Sequence, residues 1–427
     1  MGHLGLLRRN PGFRLLFLAT LGSLLGTWLA TIALTVHVWD STHSGTWVGA
    51  LLISLFLPTV LVGLTLGPLL DRLQRRRLMI VADLARAGVF CALPFVGSPA
   101  AIVALGAASG LANGLFKPAV NASLPNLLDE DDLEPGNALF QTVENVTWAA
   151  GPLIGGAIVA ASGPHVAYWV NAVSFVFSAL LIRLIPAGRL QSERALSKGH
   201  WHDLREGFSL LRTSPALQVV ISSWSVVMLG SACVDVGEVV IAKESFNAGD
   251  FGFGLLFAAG GLGLAVGSIG GGALAQRRPI RTLYAPAIAL TGVGYTLAAI
   301  SPNVWVALPA VGLAGIGNGG ASLYNVLLIQ RGVPDRYRGR AFTVAMSVTY
   351  AVLGPAMAVA GPVTSALGGR WIWAIGGACC LVAAFVAFML TPRLSEDGFV
   401  TEAEIEAIDQ ALIVHGTPAE SAEGGAL

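Results

Sequence analysis

Hydrophobic residues run along this chain in long blocks broken by short polar punctuation, and each block has the roughly 20 residues a helix needs to cross a hydrocarbon core. The blocks fall at about 15–39, 46–70, 78–98, 99–120, 138–161, 166–186, 216–242, 251–275, 282–301, 304–328, 342–366 and 371–391. They predict twelve spans. Backbone polar groups in lipid must be satisfied within a helix or a closed barrel, and uninterrupted apolar runs lack the alternation of a barrel strand. The fold class is therefore an all-α membrane protein of twelve transmembrane helices. The first block follows Arg8, Arg9 and Arg14, is too long for a signal-peptide core and lacks a small-residue cleavage pattern, so it reads as a retained span.

The longest internal polar stretch separates six spans from six. The organisation that follows is an N-terminal six-helix bundle at 1–186, a cytoplasmic linker at 187–215, a C-terminal six-helix bundle at 216–391 and an acidic cytoplasmic tail at 392–427. In the linker, Leu204, Phe208 and Leu211 share a helical face beside Asp203, Arg205, Glu206 and Arg212, which suits a helix lying on the membrane surface. In the tail, Thr401 and Glu404 make a capping-box signature before Ile405 and Ile408. The halves carry a weak repeat: Asn113-Gly114 recurs as Asn318-Gly319 at an offset of 205, and Gly151-Pro152 as Gly354-Pro355 at 203. Gly136-x-Ala138 returns as Gly339-x-Ala341, and the end of span two, Gly67 to Arg72, aligns with Gly272 to Arg277. Duplication of a six-helix unit places a substrate cleft between the halves near the bilayer midplane.

Composition sharpens this picture. Of 427 residues, 54% are hydrophobic and only 12% are charged, about half the usual charged fraction, which excludes a water-soluble globular fold. The 25 basic and 25 acidic residues balance, so nothing argues for a nucleic-acid partner. Twenty-two of the 25 Lys and Arg residues, Lys117 among them, are assigned to the side of the N-terminus, against only Lys243 and Arg370 opposite and Arg86 within a span. Both termini are thus expected in the cytoplasm of a multi-pass cell-membrane protein. Cys91, Cys233, Cys379 and Cys380 all sit in apolar runs without metal-site spacing, and the seven histidines are scattered. No metal, cofactor or enzymatic activity is expected. Gly315-Ile-Gly317-Asn-Gly319-Gly320 lies inside a span with no preceding strand, so it is not read as a dinucleotide site, and no ATP-binding pattern occurs. Glycines 263, 267 and 271 fall four apart and read as a close-packing stripe.

Ionisable residues inside spans are costly and mark candidate chemistry. Asp83 and Arg86, three apart on span three, are positioned to pair, as a structural ion pair or as coupling residues. Glu144 shares a face of span five with Gln141, Asn145 and Trp148. Asp235 and Glu238 on span seven put two carboxylates on one face, where mutual repulsion favours holding a proton on one of them. Their height along the span also allows a hydrated rim position near Lys243. The cavity is expected to be lined by Thr27, Trp28, Thr31, Asn113, Gln141, Asn145, Trp148, Trp224, Asn318 and Asn325. Such a lining favours bulky amphiphilic molecules over sugars or small ions.

Two motifs carry a family resemblance. The connection Gly67-Pro-Leu-Leu-Asp71-Arg72-Leu-Gln74-Arg75-Arg76-Arg77 resembles the G-x-L-x-D-R-x-G-R-R loop of the major facilitator superfamily, with Gln74 at the family's glycine. Thr147-Trp-Ala-Ala-Gly151-Pro152-Leu-Ile-Gly155-Gly156 resembles the superfamily's antiporter motif, with Thr147 at its first glycine. With Phe116-Lys117-Pro118-Ala119 and Gln330-Arg331-x-Val-Pro334-Asp335, nearly the whole chain resembles the twelve-helix drug:proton antiporter branch that includes macrolide and siderophore exporters. The resemblance implies the major facilitator fold and a conformational latch of Asp71, Arg72, Arg75 and Arg76 against Gly339 and Arg340 at the start of span eleven. Gln276 stands where the second copy of that acid belongs. It also implies close helix packing at Gly151, Pro152, Gly155 and Gly156. From the in-span carboxylates themselves, proton coupling is expected at Asp235, Glu238 or Glu144, Asp235 being favoured over Glu144 for its acidic neighbour, and otherwise at Asp83 with Arg86. The expected activity is export of amphiphilic small molecules in exchange for protons by a monomer whose partners are substrate, protons and membrane lipid. An importer or a lipid-like substrate flipper on the same fold, and a scaffold or receptor that moves nothing, are the competing readings.

Overall fold

The computed structural model describes residues 4–65, 73–191, 211, 214–334 and 337–394. Among these residues there is no strand, and twelve helices have 18 residues or more. They are α1 (Pro11–Thr42), α2 (Gly45–Thr65), α3 (Arg75–Ala92), α4 (Pro99–Leu127), α5 (Glu130–Ser162), α6 (Pro164–Arg183), α7 (Pro215–Val240), α8 (Gly249–Ala275), α9 (Ile280–Ile300), α10 (Val304–Gly332), α11 (Arg338–Leu367) and α12 (Gly369–Leu390). Eleven are long and apolar enough to cross a membrane; α5 is outside that set, its run diluted by an acidic first turn and its polar stripe. A short helix at Leu4–Arg9 precedes α1. The surface helix expected within 200–212 and the tail helix after Thr401 lie outside the described residues.

Local chemistry sets where helices start and stop. The side chains of Asn10, Ser214 and Asn303 accept the N–H groups of Phe13, Leu217 and Val306, and Pro11 and Pro215 stand in first turns that need no donor. Gly163 and Gly368, at φ 78° and 82°, form single-residue corners from α5 into α6 and from α11 into α12, a backbone region that disfavours a side chain. They lie 205 residues apart, the offset of the sequence repeat.

Packing follows that repeat. In the first half α1 packs on α5 and α6, α2 on α4, and α3 on α4 and α6; in the second half α7 packs on α11 and α12, α8 on α10, and α9 on α10 and α12. The predicted glycine stripe of α8 meets α10, where Gly263 and Gly267 face the carbonyls of Gly312 and Ile316 with no room for a side chain. The halves meet chiefly along two seams, α5 against α8 and α2 against α11. At the first, a Cβ added to Gly156 would lie 3.0 Å from Gly254 Cα; at the second, one added to Gly49 would lie 3.4 Å from Gly361 Cα. Gly49 and Gly254, like Gly156 and Gly361, are 205 apart, so one contact is built twice.

The buried apolar clusters show how far the halves join. One cluster combines Leu29 to Trp39, Val48 and Leu51 of the first half with Val234 to Ala242, Phe253, Leu353 and Met357 of the second. The other two each stay within a single half, around Phe13, Phe116 and Ile185 in the first and around Leu217, Tyr284 and Leu328 in the second. The protein is therefore closed across the end where α1 runs into α2, while the halves have separate cores at the end where α6 leads toward the linker.

Candidate functional site

Between these separate cores and the shared one, three aromatic rings from both halves form a roof. Trp28 of α1, Trp148 of α5 and Phe257 of α8 are mutually in contact, with centroids 6.3, 5.9 and 5.8 Å apart. On the second seam Phe56 of α2 meets Tyr350 of α11 edge to face at 5.0 Å. Sequence reasoning found Trp28 and Trp148 but missed Phe56, Phe257 and Tyr350. Apolar rings in apolar runs carry no signal of which face they occupy, and only the seams pick them out.

The polar stripe of α5 runs along the cleft wall. Gln141 donates to Asn145 at 3.3 Å. Glu144 pairs with Lys117 of α4 at 3.2 Å, the two side chains remaining 40% and 56% exposed. Lys117 thus lies within α4, and Glu144, expected from its stripe alone, has a basic partner on a neighbouring helix. Thr27 and Thr31 lie on α1, but their hydroxyls donate to the carbonyls of Ser23 and Thr27 on their own helix, leaving acceptor capacity only.

Other expected cavity residues have different company. Asn325 is buried in the second half, where its side-chain oxygen accepts from the Tyr284 hydroxyl, itself bonded to Ser223. It serves the packing of α7, α9 and α10 rather than the cleft. Asn318 is half-buried on α10, between Gly317 packed on α9 and Gly319 packed on α8. Trp224 packs against the second half's own cluster. Asn113 accepts from Arg86 at 3.3 Å, so it belongs to the ion pair of α3.

That pair is sealed. Arg86 meets Asp83 at 2.5 Å with both side chains almost fully buried, and its guanidinium lies between the rings of Phe116 and Phe175, 4.4 and 4.3 Å from their centroids. All of these groups belong to α3, α4 and α6, away from both seams. On α7, Glu238 is buried while Asp235 is half-buried. Glu238 is 6% exposed, neighbouring Gly237 packs against Ile372 and Trp373 of α12, and the Trp373 indole donates to the Val234 carbonyl. Lys243, expected nearby, does not pair with either of them. Lys243 instead binds Asp40 of α1 at 2.5 Å and Asp250 of α8 at 2.6 Å, tying the halves together at the closed end. It sits on a π-helical turn, Ile241–Ser245, that extends α7.

Of the latch, Asp71 and Arg72 lie outside the described residues. Arg75 donates to the carbonyls of Ala122 and Leu190, and Arg76 to that of Ile185, none of them in the second half. Gly339, at the start of α11, has nothing described within 4 Å of an added Cβ, and Arg340 has its guanidinium 6.0 Å from the Tyr337 ring centroid. In the antiporter motif, Gly151 and Gly155 face Trp28 and Leu29 of α1, whereas Pro152 and Gly156 face Gly254 of α8. One motif thus serves both a contact within the first half and the seam to the second. No cluster of His, Cys, Asp and Glu among the described residues could hold a metal ion.

Twelve helices in two pseudo-symmetric sets, sharing a core at one end and keeping separate cores at the other, have the architecture of a multi-pass membrane transporter. The chain belongs to the Major Facilitator Superfamily, whose sequence model matches residues 16–352 and again 238–412. It is similar to the enterobactin exporter EntS of Salmonella typhimurium, 28% identical over 419 residues that cover 93% of this chain and 98% of the relative. It is also similar to the multidrug efflux pump Tap of Mycobacterium tuberculosis, 27% identical over 384 residues covering 84% and 88%. Among solved structures, a bacterial homologue of the iron transporter ferroportin in an inward-facing state superposes with a TM-score of 0.71 at 16% identity, covering 89% of this chain and 98% of that one.

Proposed function

We propose that the protein exports bulky amphiphilic small molecules in exchange for protons by alternating access, with both termini cytoplasmic and the open linker end facing the cytoplasm. The observation that carries this reading is the Lys117–Glu144 pair, which stands half-exposed in the cleft beneath the aromatic roof. A coupling carboxylate must be reachable by protons and cheap to neutralise. An exposed ion pair contributes at most about 1 kcal/mol, so little attraction is lost when the Lys117–Glu144 pair is broken. Breaking the sealed Asp83–Arg86 pair would cost about 3–5 kcal/mol, which suits a strut better than a switch. Glu238 is buried and Asp235 half-buried on α7, next to Val234 and Val236 of the shared core, so we rank them behind Glu144 as carriers of the proton in this state. Aromatic rings beside the Lys117–Glu144 pair fit an amphiphile, and the named exporter and efflux pump among the relatives support the direction.

The test is transport of a lipophilic dye panel into inverted membrane vesicles. Accumulation that depends on an imposed pH gradient, acid inside, supports the reading. Accumulation in right-side-out vesicles alone would make the protein an importer, and no movement of any dye with or without a gradient would favour a scaffold.

A further inference from the structure

The flank of the first half farthest from both seams carries a second site. At the linker end of the α3–α6 contact a cavity of about 560 Å³ is lined by Arg76, Arg77 and Arg183 together with Ile80 and Val81. Arg77 and Arg183 are exposed, and Arg76 is half-buried with one guanidinium nitrogen on the Ile185 carbonyl. None of the three forms an ion pair with a described carboxylate, unlike Arg9, Arg86, Lys117 and Lys243. Three positive charges therefore converge on one hollow with no carboxylate among the described residues paired to them.

The surface running away from that hollow is apolar. On α3, Val81 and Leu84 continue the face of Arg77 at helical spacings of four and seven, and both are exposed. On α6, Leu180, Phe177 and Val173 recede from Arg183 and are exposed as well. Because α3 and α6 pack on one another and on the first half's α1 and α4, this face turns away from the second half and the substrate cleft. A charged pocket at a helix end that opens onto two parallel apolar ridges matches an amphiphile with an anionic head and long tails standing along the helices.

We propose that this groove binds an anionic glycerophospholipid of the linker-side leaflet, its phosphate held by Arg76, Arg77 and Arg183 and its acyl chains lying on Val81, Leu84, Phe177 and Leu180. Basic pockets between helices at a membrane face are suited to such head groups, and each Arg near an anionic lipid strengthens attraction several-fold. The site is independent of the transport cleft, so it holds whatever the substrate or its direction of movement.

The experiment uses the full chain in mild detergent, with bound lipid counted by native mass spectrometry and thermal stability followed on adding phosphatidylglycerol, phosphatidylcholine or inorganic phosphate. Wild type is expected to retain and be stabilised by phosphatidylglycerol but not phosphatidylcholine. The double variant Arg77→Gln/Arg183→Gln is expected to weaken that binding by about tenfold or more, taking roughly one factor of several for each charge removed. Arg8→Gln, which removes an exposed cation at the same end of the chain but outside the groove, should leave it unchanged. Equal stabilisation by phosphatidylcholine, equal loss in Arg8→Gln, or an unchanged double variant would overturn the site. So would inorganic phosphate reproducing both the stabilisation and its loss, since the ligand would then be a phosphate rather than a lipid. Should the double variant fail to fold, the wild-type preference among the three additives still decides the question.

Discussion

At the scale of residues, the contrast between two ion pairs separates strut from switch. Glu144→Gln keeps the shape of the side chain and removes its titration, so we expect normal membrane insertion, at least a tenfold loss of gradient-driven dye accumulation and retained downhill exchange. Counterflow in proteoliposomes with and without a pH gradient checks this; concentration of dye at the wild-type rate would move the proton to another carboxylate. Asp83→Asn should act on folding instead, because it leaves Arg86 buried without its anion. We expect a loss of about 3–5 kcal/mol in stability, seen as a lowered melting temperature and poor yield, with residual transport per folded molecule preserved. Both pairs involve residues that the sequence marks as unusual, and only one pairing was legible there. Asp83 and Arg86 are one helical turn apart, whereas Lys117 and Glu144 are on different helices and meet only through the packing of α4 on α5. Asn325 misled in the opposite sense: a lone amide in a span reads as cavity lining until Tyr284, 41 positions away, is seen to satisfy it.

Elements show why the small-residue motifs exist. Gly156 and its repeat mate Gly361 press against the backbone of the opposite half, so a leucine at either should prevent the closed end from closing while each half stays folded. Gly151 faces Trp28 of its own half, where leucine should disturb the N-terminal bundle itself. In a background without native cysteines, Val48→Cys, fully buried in the shared core, reports the difference. We expect membrane-impermeant maleimide to label it faster when Gly156→Leu or Gly361→Leu is present and at the parental rate with Gly151→Leu in whatever fraction folds. Equal protection in all three would mean that the seams do not govern closure. The twelve helices were legible from apolar run lengths, because backbone satisfaction in lipid leaves few alternatives. The seams were not. With 53 glycines in the chain, coincidences at an offset of 205 are common, and nothing local separates the pairs that touch another helix from those that do not.

For the whole molecule, the asymmetry between a joined end and a separated end is the central observation. Lys243 reinforces the joined end by bridging Asp40 and Asp250 across the halves. Replacing it by methionine leaves two carboxylates facing each other without their cation, and we expect the population to shift toward opening at that end, read as faster labelling of Val48→Cys. Protection unchanged from wild type would reduce the bridge to a surface contact. The two-bundle plan was visible in the sequence through its polar punctuation, yet which end is closed could not be read there, since the same residues must build both conformations. Pulsed electron paramagnetic resonance on the reconstituted protein tests alternating access most directly. One spin-label pair spans the closed end at Ser41 and Glu244, and the other spans the linker end at Arg189 and Arg277, all four exposed. The account predicts a short first distance and a long second one at rest, changing in opposite directions when substrate or acid is added. Distances that stay fixed, or that lengthen and shorten together, would contradict it.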